Sequence, residues 1–303
     1  MRTKLWILVL LLLPCLALGF FTGCPSKEST SIPANTATPP PVPAPANPDV
    51  ILATTTSVQD TGLLDILTDM FKKQTGYNIK AIAVGSGEAM AMGKRGDADV
   101  LLVHSPKDEE SFMKDGFGKS RELIMTNYFN LVGPDEDPAG CAGSASAKEA
   151  FAKIADKQAV FVSRADNSGT HKKELSIWKS ANITPTWESY IKANNGMGIV
   201  LQIANDKRGY TLTDRGTYLA FSAKGGSASG GKSKLSLKEM TGQDQALLNQ
   251  YSVIVLNPTK FPKINLSGAE AWAKFLLEPS TQKIIGEYGK DKYGEALFYP
   301  VVK

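Results

Sequence analysis

The sequence predicts an α/β fold in two lobes that face each other across a cleft. Three observations point there. Short apolar runs alternate with amphipathic stretches of helical spacing. Two similar aromatic-led runs, "NYFNLVGP" (Asn127–Pro134) and "YSVIVLNP" (Tyr251–Pro258), sit at the seams of composition shifts, as if the chain crosses into a second lobe and returns. Three turns that leave strands are crowded with hydroxyls and glycine.

The N-terminus stands apart from the fold. Arg2 and Lys4 precede an apolar run from Leu5 to Phe21, interrupted only by Pro14 and Gly19. A short basic segment before a greasy one is a secretory signal. It ends in "FTGC", which resembles a bacterial lipoprotein signal despite the unusual Phe21. That resemblance implies cleavage before Cys24 and diacylglycerol on its thiol, so residues 1–24 are expected to be a leader; an uncleaved anchor or ordinary cleavage nearby stays open. Residues 25–48, rich in Pro, Ala, Ser and Thr and with only Ile32 and Val42 as large apolar residues, are expected to form a semi-extended spacer. Of the three cysteines only Cys141 lies in the body, so no internal disulfide and no Cys/His zinc spacing is expected. Losing Arg2 and Lys4 with the leader takes the formal charge of +4 down to +2. That is no basis for a nucleic-acid surface.

From Asp49 onward the elements follow in order. "VILA" (Val50–Ala53) is a strand, and Leu63, Ile66, Leu67, Met70 and Phe71 give the next segment one helical face. "IKAIAVG", "GEAMAMGKRG" and "ADVLLVHS" read as strand, helix and buried strand, so parallel strands covered on both faces are expected. A new grouping begins with a strand at Tyr128–Val132 and a helix at Ala147–Ala155. "AVFVSR" is a strand, "SGTHKKELSIWKS" and "GMGIVLQIANDK" are helices, and "YTLTDRGTYLAF" is a strand with a short helix. "KGGSASGGKSK" (Lys224–Lys234) is a flexible loop without P-loop spacing. The apolar strand at Tyr251 and an amphipathic helix broken at Pro279 finish the chain. Lobe one is placed at 49–130 plus 253–303, and lobe two at 131–252.

The three hydroxyl-rich turns share one chemistry: "ATTTS", "VGSGEA" and "VSRADNSGTH" each lead from a strand into a helix. A helix N-terminus leaves backbone N–H groups unpaired under a partial positive charge, hydroxyls add donors, and glycine allows close approach. Any one turn is explained by ordinary capping. Three of them at carboxyl ends of strands point to an anion site, with Arg164 its cation and "NNGMGIV" a fourth helix start. An enzyme reading is weak. His171 near Ser168 lacks a third group to orient it, and no GxSxG is present. His104 reads as a cleft or core residue, and Asp97 and Asp99 as a turn rather than a metal pair.

"TTTSVQDTGLLD", "VGSGEAMAMGKRGDADVLLVHSPKDEE", "VSRADNSGTHKKE" and "YTLTDRGTYLAF" together resemble the tungstate-binding proteins of bacterial ABC importers, the TupA type, over Val50–Pro300. The resemblance implies a type II periplasmic-binding-protein fold: two α/β lobes joined by a two-strand hinge and closing over a tetrahedral oxyanion. It implies a non-enzymatic, extracytoplasmic binding protein that delivers tungstate, with molybdate as a second candidate, to a permease driven by an ATPase; with the lipoprotein signal, a monomer lipid-anchored in the periplasm or at the cell surface is expected. No cofactor and no protein-held metal are expected. Carried over, the binding residues are Thr55, Thr56, Ser57, Ser86, Arg164, Ser168 and Thr170, with Met197 and Gly198 in the Gly196–Gly198 turn; Ser86 replaces an expected Thr. The "SRADNSGT" loop is also similar to that of phosphate-binding proteins, and phosphate is the alternative ligand. A serine hydrolase is the remote alternative. Asp166 is expected to pair with Arg164 rather than accept a proton from a ligand.

Overall fold

The computed structural model describes residues 45–223, 235–242 and 244–301. The leader, Cys24, most of the spacer and the Lys224–Lys234 loop lie outside the described residues. Among the described residues, no helix is long and apolar enough to cross a membrane.

The first half builds one side of a mixed sheet. Strand β1 (Asp49–Thr55) leads into α1 (Thr56–Thr61) and α2 (Leu63–Thr75), which are separated by Gly62 in the left-handed region at φ 83°. Strand β2 (Asn78–Val84) pairs parallel to β1, Asp49 opposite Asn78 through to Thr55 opposite Val84. Then come α3 (Ser86–Arg95), β3 (Val100–Val103), α4 (Pro106–Lys114) and the long β4 (Gly118–Gly133). The second half holds α5 (Ala147–Asp156), β5 (Phe161–Ser163), α6 (Gly169–Ser180), β6 (Tyr190–Lys192), α7 (Met197–Lys207), β7 (Thr211–Asp214), α8 (Arg215–Ala223) and the two-residue β8 (Lys238–Glu239). Strand β9 (Leu248–Leu256) returns, followed by α9 (Leu266–Leu277), α10 (Pro279–Glu287), α11 (Lys290–Tyr293) and β10 (Tyr299–Pro300).

The strand order is β10-β4-β9-β3-β1-β2, with β7 and β8 on the far half of β4 and a separate parallel pair β5-β6. Within the large sheet only β1, β2 and β3 obey the expected parallel pattern. The unit β3-α4-β4 leaves a gap one strand wide, and β9, coming back from distant sequence, fills it antiparallel to both neighbours. Strand β4 also starts ten residues before the expected Tyr128. Its early residues are largely exposed and polar, so no apolar period announces them.

The long strand β4 links separate cores. One side of the β1 sheet packs Leu52, Leu67, Phe71, Tyr251 and Trp272, and the other packs Ala53, Met90, Leu101 and Phe112. A second pair of cores gathers Phe129, Phe151, Phe161 and Trp178, and Val132, Met197, Leu201 and Phe221. Strand β4 enters the first set through Ile124 and Met125 and the second through Phe129, Leu131 and Val132. The hydroxyl-rich turns project from the ends of β1, β2 and β5, where the strands stop and the helices begin.

Candidate functional site

The first turn puts four hydroxyls into four different settings. Thr54 Oγ1 donates to the Leu102 carbonyl at 3.0 Å, which ties β1 to β3. Thr55 Oγ1 and Ser57 Oγ lie 3.1 Å apart, and Ser57 Oγ lies 3.2 Å from His104 Nε2. Thr56 Oγ1 is buried and has no hydrogen-bond partner among the described residues. None of these hydroxyls caps α1. That separates this turn from the ordinary capping that would otherwise explain its composition.

The second and third turns meet. A Cβ on Gly87 would lie 3.1 Å from the Asn167 carbonyl oxygen, and one on Gly85 would lie 3.7 Å from Ser168 Cα. Glycine at position 87 lets the start of α3 approach the loop before α6, whereas a Cβ on Gly85 would make an ordinary contact. Ser86, the first residue of α3, is fully buried with an unpartnered Oγ.

The third turn is held from below by a carboxylate. Glu174 accepts from Ser163 Oγ at 2.7 Å, Trp178 Nε1 at 3.1 Å and Tyr190 Oη at 2.6 Å, joining β5, α6 and β6. Burial pushes its carboxyl up, against the pull of those three donors. Arg164 is 3% exposed, and Nε and Nη2 donate to Asp166 Oδ2 at 3.1 and 2.5 Å. The expected Arg164–Asp166 pair is thus present. Burial raises the Asp166 carboxyl, but Arg164 and the bonds from Ser168 hold it below the ordinary range. Ser168 caps α6 by accepting from His171 N at 3.3 Å, so His171 occupies the first turn of that helix as expected. Thr170 Oγ1 is a further buried hydroxyl without a partner.

Of the remaining expected residues, Met197 and Gly198 begin α7, which touches α1. The Met197 side chain belongs to the core, so what this position can offer a ligand is backbone.

Sequence reasoning left the polar floor of the site largely unassigned. His104, 4% exposed, stacks on Tyr251 with ring centres 4.8 Å apart and reaches Asn249 Oδ1 through Nδ1 at 3.1 Å. Asn249 Nδ2 donates to Asn127 Oδ1 and to Tyr251 Oη, each at 2.9 Å. Burial, then the positive charge of Arg164, push the imidazole down to about 4, opposed by the Asn249 bond. Asp214 ends β7 with Oδ1 accepting from Thr217 N at 2.8 Å and Oδ2 unpartnered; burial raises this carboxyl. The available signal was buried amides: Asn127 and Asn249 sit inside strands, where Asn is disfavoured unless it has a task.

Asp99 does close a structural joint. Its carboxylate accepts from Ile51 N at 2.6 Å and Asn265 N at 2.7 Å. Among the described residues, no cluster of His, Cys, Asp and Glu could hold a metal ion. Cys141 is buried and free, its thiol pushed up to about 12 by burial.

Among the described residues, the three turns hold buried, unpartnered hydroxyls at Thr56, Ser86 and Thr170 and one buried guanidinium at Arg164. Such a set recognises an anion by hydrogen bonds and a single charge. The PBP superfamily domain matches residues 42–280. The tungstate-binding protein TupA of Peptoclostridium acidaminophilum is 43% identical over 302 residues, which cover 99% of each chain. A crystal structure titled as the tungstate ABC transporter from Geobacter sulfurreducens is similar at a TM-score of 0.70 and 42% identity, over 79% of this chain and 98% of that one. The tungstate-binding protein TupA from Desulfovibrio alaskensis gives 0.69 and 42%, over 84% and 100%. The chain belongs to the PBP superfamily and, within it, to the TupA family.

Proposed function

We propose that this protein is the extracytoplasmic binding component of an ABC importer, taking up tungstate and handing it to a permease powered by an ATPase. The observation that carries the reading is that each of the three turns holds a buried, unpartnered hydroxyl, Thr56, Ser86 and Thr170, and that the third also holds the buried Arg164. Relatives named as tungstate-binding proteins supply the identity of the anion. A fully deprotonated tetrahedral dianion accepts at every oxygen and is suited by donors alone. In this reading Thr55, Thr56, Ser57, Ser86, Arg164, Ser168, Thr170 and the Met197–Gly198 backbone surround it.

The anion sits between lobes at 49–130 plus 253–303 and 131–252, with β4 and β9 as the hinge. The separate cores that β4 joins support a division near those bounds, with Phe129 packing on the second side and Tyr251 on the first. The protein acts as a monomer, tethered through a lipid on Cys24, and catalyses no reaction. Molybdate, a dianion of nearly the same size, competes for the same donors.

Phosphate is the second reading, and Asp214 favours it. Its unpartnered Oδ2 is an acceptor that a protonated anion could use, whereas Asp166 is already tied to Arg164. Ser57, His104 and Asn249 also line up in the order of a hydrolase triad. An imidazole held near 4 is a weak base at neutral pH, and Ser57 is 1% exposed, so the line does not favour turnover.

Titration calorimetry with tungstate, molybdate, sulfate and phosphate tests the assignment. Tight tungstate binding is expected. Tight phosphate binding with no tungstate response would refute it. A generic acyl ester is expected to remain uncleaved, and incorporation of labelled fatty acid should require Cys24.

A further inference from the structure

We propose that His104 is a positioning residue that sets the direction of the hydrogen bonds in the first turn, so that Thr56 alone of Thr54–Ser57 offers a hydroxyl proton to the bound anion. The ligand half of this statement rests on the oxyanion reading above. The hydrogen-bond half stands without it.

The direction is set at Asn249. A primary amide has two N–H bonds, and both of Asn249's are engaged, to Asn127 Oδ1 and Tyr251 Oη. Its Oδ1 therefore faces His104 and can only accept, so His104 Nδ1 carries the proton across the 3.1 Å contact. A second proton on the ring is disfavoured, because the imidazole is buried and feels the Arg164 cation. Nε2 is left with a lone pair and accepts the Ser57 hydroxyl proton at 3.2 Å. Tyr251 Oη also lies beside Ser57, but it already accepts from Asn249 and has a proton of its own. The Ser57 oxygen in turn accepts from Thr55 Oγ1 at 3.1 Å.

Each hydroxyl has one proton. Thr54's goes to the Leu102 carbonyl, Thr55's to Ser57 and Ser57's to His104. Thr56 remains, and its Oγ1 is the one in this turn that is buried without a partner. Turning the Asn249 amide over would reverse the chain, with Nε2–H donating to Ser57 and the Ser57 and Thr55 protons released toward the anion. That arrangement would set two amide oxygens against each other unless Asn127 turned as well. The two directions place the His104 proton on different nitrogens.

Nitrogen-15 NMR of the imidazoles at neutral pH reads that difference directly. The chain has two histidines, so a His171→Gln variant assigns the signals. A protonated Nδ1 and a bare Nε2 on His104 are expected; a proton on Nε2, or on both nitrogens, would overturn the proposal. Calorimetry with sodium tungstate on the full chain tests the other half. Thr56→Val should lose tenfold or more in affinity, and clearly more than Thr55→Val or Ser57→Ala. Equal losses at Ser57 and Thr56 would overturn it. His104→Gln can donate with its amide nitrogen and accept with its oxygen, so it should keep the direction and bind more tightly than His104→Leu. A wild-type protein with the expected tautomer and no tungstate response would refute the ligand assignment and leave the hydrogen-bond direction intact.

Discussion

A Cβ placed on Gly169 would fall 2.7 Å from both Cε1 and Nδ1 of His104 and 3.0 Å from its carbonyl oxygen. The start of α6 thus rests directly on the imidazole that organises the first turn, with no room for a methyl group between them. Gly169→Ala forces that ring off Ser57 and Asn249. Overpacking of this kind costs about 1–3 kcal/mol. Urea unfolding should show the loss, and tungstate affinity should fall with it. A variant as stable and as tight-binding as the wild type would show that the contact yields easily.

Arg164 brings the positive charge of the third turn, and Asp166 fixes its plane through two hydrogen bonds. Arg164→Gln removes a charge-assisted contact worth about 1.5–3 kcal/mol, a loss of roughly tenfold to a hundredfold in anion affinity. Asp166→Asn keeps the cation but loosens its aim. A smaller loss is expected there, together with poorer discrimination between tungstate and molybdate. Calorimetry with both anions on both variants separates charge from aim.

Glu174 lies beneath the site and ties three elements with one carboxyl group. Truncation to Ala would leave the donors of Ser163, Trp178 and Tyr190 buried and unsatisfied, each at a cost of about 1–3 kcal/mol before relaxation. Glu174→Gln should lose less, since the hydroxyls of Ser163 and Tyr190 can rotate to meet an amide. Thermal unfolding should rank wild type, Gln and Ala in that order. Equal melting temperatures would remove Glu174 from the support of the third turn.

How far the site could be read from sequence differs from turn to turn. "ATTTS" carried more hydroxyls than capping needs, and that surplus marked it, as did the glycines flanking Ser86. Arg164 with Asp166 was legible because the pair is two residues apart. The division of labour among the four hydroxyls was hidden, because it is decided by His104 and Asn249, which are 47 residues and more from Ser57. Long-range partners leave no local pattern. The antiparallel entry of β9 between β3 and β4 was hidden for the same reason. The helices α2, α3, α5, α6, α7 and α9 fell on stretches expected to be helical, α4 went unexpected, and the break at Pro279 fell where the ring forbids continuation.

Protonation of His104 should destabilise the fold as the medium is acidified. The folded imidazole titrates at about 4 against an ordinary value of 6.5. Above pH 6.5 both folded and unfolded chains carry it neutral, and its contribution is fully present. Between 6.5 and 4 only the unfolded chain binds the proton, so stability is lost as pH falls through that window, by about 3 kcal/mol at its end. His171, lowered by burial first, acts in the same direction. Asp214, Glu174 and Glu109 are raised by burial and act in the opposite direction, because the folded chain holds their protons more tightly. The difference between wild type and His104→Gln cancels those groups. With Arg164, Tyr251 and Asn249 left in place around the side chain, the stability gap between the two should shrink steadily from pH 7 to pH 5. Urea titrations at half-unit steps measure it, and a gap that stays constant with pH would show that folding leaves the His104 pKa unshifted.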